Sequence, residues 1–202
     1  MRNSKGLTLV EVIASLVVLS IIGAIVVPVL SVSIRDYRER TLLSQLNTVE
    51  GALRSWTTDN INKVSCDGMY ALQVPIKVLQ DDAYLDYKLK NPKGGFLDDT
   101  DTFGLVYCST IEDETQNYGT NYKYEYGAYL SIVDYEEKMA IKYAKDHNNE
   151  DTTVSTNTLK NEGYLYNNIK DLDGKNIEIP TNTLTVKVKE ISDDEYKYEV
   201  SE

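Results

Sequence analysis

The chain is poor in the residues that most enzymes and metal proteins are built around. Its 202 residues include one histidine, two cysteines, three methionines and one tryptophan. A tetrahedral Cys/His metal centre needs four ligands, and Cys66, Cys108 and His147 do not supply them. No phosphate-cradling loop and no G-x-S-x-G elbow occurs in the sequence. We therefore expect no catalytic residues, no cofactor and no metal: the chain reads as something other than an enzyme. His147 stands at the polar end of an expected helix, where a C-terminal cap is its simplest role. Positive charge is also in short supply, with 21 Lys and Arg against 32 Asp and Glu, a net charge of −11. Such a surface repels phosphate backbones, so nucleic acid is not an expected partner.

The acidic residues form two short clusters, Asp98-Asp99-Thr100-Asp101 and Asp171-Leu172-Asp173-Gly174-Lys175-Asn176. Calcium uses such oxygen donors, but neither cluster has the full spacing of a calcium loop. Both read as solvated turns. The two cysteines are enough for one disulfide, and an extracellular setting would permit it. A Cys66–Cys108 bond would close a loop of about 40 residues, worth about 3–4 kcal/mol in the chain-entropy model. Two buried free thiols are the alternative. Aromatic content is almost all tyrosine, 16 against two phenylalanines, which suits strands with one dry and one wet side.

The strongest feature is an asymmetry of hydropathy. Leu7 to Leu30 is mostly apolar and carries one charge, Glu11, and after Ser31 the chain is polar and acidic. At ~1.5 Å per helical residue this run is long enough for a ~30 Å hydrocarbon core. Only a helix satisfies the backbone of such an isolated segment in lipid. The preceding flank, Met1 to Gly6, is very short and carries Arg2 and Lys5, which favour a cytoplasmic N-terminus. Glu11 is expensive in an apolar setting unless it stays near the interface, takes up a proton, or meets a positive partner.

The stretch Lys5-Gly6-Leu7-Thr8-Leu9-Val10-Glu11-Val12 resembles the type III signal of type IV prepilins and pseudopilins. The resemblance implies cleavage between Gly6 and Leu7 and N-methylation of the new Leu7 terminus. Leu7 departs from the phenylalanine or methionine usual there. Glu11 matches the glutamate at the fifth mature position, and Pro28, with Gly23 before it, matches a proline further into the helix. These residues are implied to act in assembly: the new Leu7 amine pairs with Glu11 of a neighbouring subunit and rewards one axial register. The implied partners are other pilin subunits through the N-terminal helix, a prepilin peptidase/methylase and an inner-membrane assembly platform. The implied location is the cytoplasmic membrane, as a single pass with its N-terminus inside, and then an extracellular pilus or the cell surface.

The expected fold is α+β and pilin-like: a long N-terminal helix packed on an antiparallel sheet head, with a possible second pilin-like lobe. The parts are a leader at 1–6, a transmembrane and filament-core helix at 7–30, its amphipathic continuation at 31–60, a first lobe at 61–132 and a second at 133–202. Leu42, Leu46, Val49, Leu53 and Trp56 recur at helical spacing and form one apolar stripe. Strands are expected at Tyr70 to Leu79, Leu105 to Ser109 and Tyr122 to Ile132. Pro92 to Gly95 reads as a turn. A helix is expected at Tyr135 to Asp146, a polar loop at Asn148 to Thr158, and a closing hairpin from Leu184 to Val200 around Ser192-Asp193-Asp194. The second lobe rests on an internal echo. Asp82-Ala83-Tyr84-Leu85, a turn and Asn121-Tyr122-Lys123-Tyr124-Glu125-Tyr126 are answered by Asn161-Glu162-Gly163-Tyr164-Leu165, a turn and Glu195-Tyr196-Lys197-Tyr198-Glu199. Three roles fit: a minor or major pilin serving adhesion, a pseudopilin of a type II secretion or DNA-uptake machine, or an anchored surface protein that never polymerises.

Overall fold

The computed structural model describes residues 9–86, 89–92, 94–111, 121–192 and 195–202. Their elements are an N-terminal helix, three shorter helices and two antiparallel-rich sheets, an α+β arrangement consistent with the pilin-like fold. Residues 1–44 and 45–202 form two compact units. The first helix, α1 (Leu9–Asp59), contributes to both. It ends within a residue of the expected Asn60, in a 3-10 turn at Ile61–Lys63.

Within residues 45–202 the core begins with the apolar stripe of α1. Leu46, Val49, Leu53 and Trp56 are buried, whereas Leu42 belongs to the other unit. Leu53 of the stripe packs on β2 (Phe103–Ile111) at Gly104. A Cβ at Gly104 would come within 2.7 Å of Leu53 Cδ2, so the absent side chain lets the helix sit down on the strand. β2 pairs antiparallel with β1 (Ala71–Pro75) and β3 (Asn121–Tyr129). The sheet continues on the far side of β1 with β5 (Ile169–Lys170) and β6 (Asn176–Ile177), in the order β3-β2-β1-β5-β6. The β1–β5 pairing is parallel. A second sheet has the order β4-β7-β8, from β4 (Thr152–Ser155), β7 (Thr183–Ser192) and β8 (Glu195–Ser201). Helix α3 (Ile132–Asp146) is capped at its start by Ser131, whose hydroxyl accepts from the Asp134 amide.

Two expectations need correction. The strand expected over Tyr70 to Leu79 stops at Pro75, which has no N–H for the ladder and sits at the N-cap of a short helix, α2 (Ile76–Asp81). The polar loop expected over Asn148 to Thr158 instead holds β4 and the start of α4 (Thr156–Asn161), capped by the Ser155 hydroxyl. The boundary drawn at 132/133 falls just after the first residue of α3, and the two sides share one core. Phe103 and Leu105 of the first stretch lie in the same buried cluster as Tyr135, Leu159 and Ile169 of the second.

The internal echo has a backbone counterpart at one constant offset, that from Leu79 to Leu159. The amides of Tyr84 and Leu85 both bond the Leu79 carbonyl, and those of Tyr164 and Leu165 both bond the Leu159 carbonyl, at 2.8 and 3.1 Å in each case. Ile76 N donates to Thr102 O and Thr156 N to Asn182 O, both at 3.0 Å. Pro75 faces Phe103 in one sheet, and Ser155 faces Thr183 in the other. The bridge Lys90↔Phe96 matches the pair Lys170↔Asn176. Each unit also ties its tyrosine to the end of its own helix: Tyr84 donates to Asp59 at 2.6 Å and Tyr164 to Asp146 at 3.0 Å. Residues 45–202 therefore contain the same helix, strand, short helix, hairpin and two-strand order twice.

Candidate functional site

The N-terminal part of α1 presents an almost unbroken apolar surface. Leu9 and Val10 are each 75% exposed, and Ile13, Leu16, Leu19, Ile22, Val27 and Leu30 are also exposed. Two serine hydroxyls in this stretch bond back to the helix. Ser15 Oγ donates to Val12 O at 2.8 Å and Ser20 Oγ to Val17 O at 2.7 Å, so neither hydroxyl asks for water. A helix apolar on all sides needs lipid or other helices around it. Glu11 lies in the first turn, where the positive end of the helix dipole favours a carboxylate. Gly6 and Leu7, expected to flank the cleavage point and to carry the methyl group, lie outside the described residues, as do Thr8 and the rest of the leader. Gly23 and Pro28 fall within α1, but their side chains are outside what is described. Among the described residues no helix is long and apolar enough to cross a membrane.

The match to known families falls on this segment. The model of the prokaryotic N-terminal methylation motif matches residues 1–27. Its N-terminus is a type IV prepilin signal. No curated protein and no solved structure matches the chain. The motif supports a pilin- or pseudopilin-type precursor and implies processing by a prepilin peptidase, assembly with other pilin subunits, and a membrane-anchored form that precedes the surface one.

Behind the prepilin signal, the head places the other candidate residues in structural roles. Cys66 and Cys108 form a disulfide that ties the segment after the 3-10 turn to β2. His147 is the C-cap residue of α3. Its Nδ1 lies 2.8 Å from Tyr143 O, its ring stacks on that of Tyr143 at 4.0 Å, and Nε2 is 4.0 Å from Glu162. The two acidic clusters close on themselves. Asp98 accepts from the hydroxyl and amide of Thr100 and from the Asp101 amide, and these bonds hold its carboxyl below the usual range. Asp171 accepts from the amides of Asp173 and Lys175. No group of metal-ligating residues occurs among the described residues.

Sequence reasoning missed the tyrosine cluster at the seam between the two repeats. Tyr166 stacks on Tyr107 with centroids 4.7 Å apart, donates to Glu125 at 3.1 Å, and its amide donates to the Tyr135 hydroxyl. Burial pushes the Tyr129, Tyr135 and Tyr166 hydroxyls up, Tyr129 to about 12. Glu125 is held low, first by its bond to Lys123. Beside the cluster is a cavity of about 410 Å³ lined by Gly68, Tyr107, Glu125, Lys160 and Asn168 among others. Tyrosine enrichment was plain in the sequence, but no local pattern assigns these particular rings to one seam.

Proposed function

We propose that the chain is a structural subunit, a minor pilin, of a type IV pilus and has no enzymatic role. Cleavage after Gly6 leaves Leu7 as a methylated N-terminus. Before assembly the 7–30 segment is a single membrane pass with the N-terminus inside. After assembly the same segment packs among neighbouring helices, and the acidic head stands on the fibre surface for adhesion. The observation that carries this reading is the exposed apolar face of α1 placed directly behind the prepilin signal. Lipid and a bundle of like helices are the two environments that accept such a face, and the signal supplies the route from one to the other. In that bundle the Leu7 amine and Glu11 of adjacent subunits satisfy each other and fix the axial register.

A pseudopilin of a secretion or DNA-uptake machine would share the signal and the helix. The doubled head favours the pilus, because a bulky head suits a surface or tip position better than a short, densely packed piston. The test is to shear surface filaments from cells, isolate them and determine the N-terminal mass of this chain. A filament-borne chain beginning at methylated Leu7 is expected. An intact precursor with its first six residues, absent from any filament, would reject the proposal. Glu11→Ala should leave cleavage unchanged and reduce incorporation into filaments. Unchanged incorporation would remove the pairing argument.

A further inference from the structure

The repeated units meet through a defined contact. The β5–β6 hairpin of the second repeat adds in parallel to the outer edge of β1 in the first, with Ala71 opposite Ile169 and Leu72 opposite Lys170. The Ala71 amide donates to Asn168 O at 3.0 Å, and the Asn168 side-chain amide donates to Met69 O at 3.3 Å. Lys170 Nζ lies over the Tyr70 ring, 4.4 Å from its centroid. Each repeat thus has a hairpin that can be given and a strand edge that can receive. The chain uses one of each internally. The first repeat's hairpin, bridged at Lys90↔Phe96, belongs to neither sheet, and β4 is an end strand of the second sheet.

We propose that these two remaining parts meet between copies. The hairpin around Lys90 of one chain adds in parallel to the outer edge of β4 of the next, repeating between molecules the contact that joins the two repeats within one. Transferring the β1–β5 register by the constant repeat offset sets Leu89 opposite Asp151 and Lys90 opposite Thr152. The position of Tyr70 is taken by Glu150, so the cation over a ring becomes Lys90 facing a carboxylate. Lys90 and Glu150 are both exposed. The Asp151 carboxylate is already engaged inwards by Lys187 and by the Val188 amide at 2.8 Å. That leaves Glu150 to answer the incoming lysine. The hairpin also exposes Phe96, 59% accessible, where the docked hairpin has Asn176. The contact is heterologous, joining one face to a different face, so it gives an open head-to-tail series wherever its rotation does not close a ring. An open series fits a filament and takes its biological setting from that reading, while the contact itself belongs to residues 45–202.

The test uses the full-length chain purified in detergent, as an equal mixture of ¹⁵N-labelled and unlabelled protein treated with a carbodiimide. Mixed-isotope peptide pairs joining Lys90 to Glu150 are expected. Glu150→Lys should lower the mixed-isotope crosslinked multimer at least about tenfold, because it sets two like charges against each other. Adding Lys90→Glu to that variant should restore the multimer, scored on non-reducing gels under a charge-independent crosslinker. A monomeric chain, links confined to one isotope, or multimers indifferent to the charge swap would each overturn the proposal. Filament incorporation of the Glu150→Lys chain is scored separately: loss of the self-contact with incorporation retained refutes only the contact's part in the filament, and absence from filaments of the unaltered chain refutes the filament reading alone.

Discussion

The first and second repeats of the head share a backbone plan but not a core. Counted back from their helix-end aspartates, Val49, Leu53 and Trp56 of α1 occupy the positions of Glu136, Ala140 and Tyr143 of α3. The first set is wholly apolar and fully buried. The second contains a carboxylate that is 1% exposed and an alanine where the first has a leucine. The first repeat also holds the chain's one disulfide. The difference follows from what each helix does. The last turns of α1 are anchored by large apolar side chains, and the segment that follows them carries a covalent tie. α3 has both of its ends in the head and leans on the tyrosine seam beside it.

The largest expected effect breaks the better-packed side. Leu53 is fully buried against Gly104, so Leu53→Ala removes contacts from a strand already placed as close as the helix allows. A loss of about 2–5 kcal/mol is expected, measured by denaturant unfolding of the full chain. The corresponding position of the second repeat is already alanine, at Ala140, and that repeat survives without the leucine because its helix is held elsewhere. A loss below about 1 kcal/mol would mean that the first core is no tighter than the second.

Much of this comparison is legible in the sequence. The stripe Leu46, Val49, Leu53 and Trp56 repeats at helical spacing, and all four are buried. The closing hairpin was legible because Leu184 to Ile191 and Glu195 to Val200 alternate as strands do. The internal echo was visible in the Tyr-Leu and Tyr-Lys-Tyr-Glu words, which sit at turns and edges where side chains recur for local reasons. Other elements left little local trace. Thr152–Ser155 has one apolar residue, Val154, and becomes a strand because β7 offers it a partner. The addition of β5 to β1 joins residues almost a hundred positions apart, and no periodicity announces such a pairing. The prepilin signal was the reverse case: its meaning lies in a short word of fixed spacing and needs no tertiary context.

A second variant sharpens the contrast between Val49 and Glu136. One carboxylate oxygen of Glu136 accepts from the Thr156 hydroxyl at 3.2 Å, and the other has no partner among the described residues. Burial raises its proton affinity above that of an ordinary glutamate. The folded state therefore binds this proton more tightly than the unfolded chain does. Its contribution is most favourable below the ordinary glutamate range and is lost as pH rises through the raised value. Glu136→Gln removes the charge while keeping the shape. It is expected to stabilise the chain by about 1–3 kcal/mol at neutral pH, with the gain shrinking as pH falls. Taking the difference between the two proteins across pH cancels the opposite trend of Asp67, Asp98 and Asp151, whose carboxyls are held low and lose stability in acid. A difference that is flat with pH would show Glu136 to be hydrated.

The smallest expected effect concerns the turn that follows each short helix. At the matched position one repeat has Gly163 with φ +80° and the other has Ala83 with φ +62°. The left-handed region costs an alanine about 1–2 kcal/mol, while glycine enters it freely at some entropic cost in the unfolded chain. Ala83→Gly should therefore stabilise the first repeat by a net amount of up to about 1 kcal/mol, and Gly163→Ala should destabilise the second by a similar amount. Both are read from shifts in the unfolding midpoint. If the signs agree with this, the two turns are the same turn, and the alanine is strain that the tighter first core tolerates. If Ala83→Gly is destabilising, the first turn is held by something its twin lacks, and the correspondence between the repeats stops at the backbone.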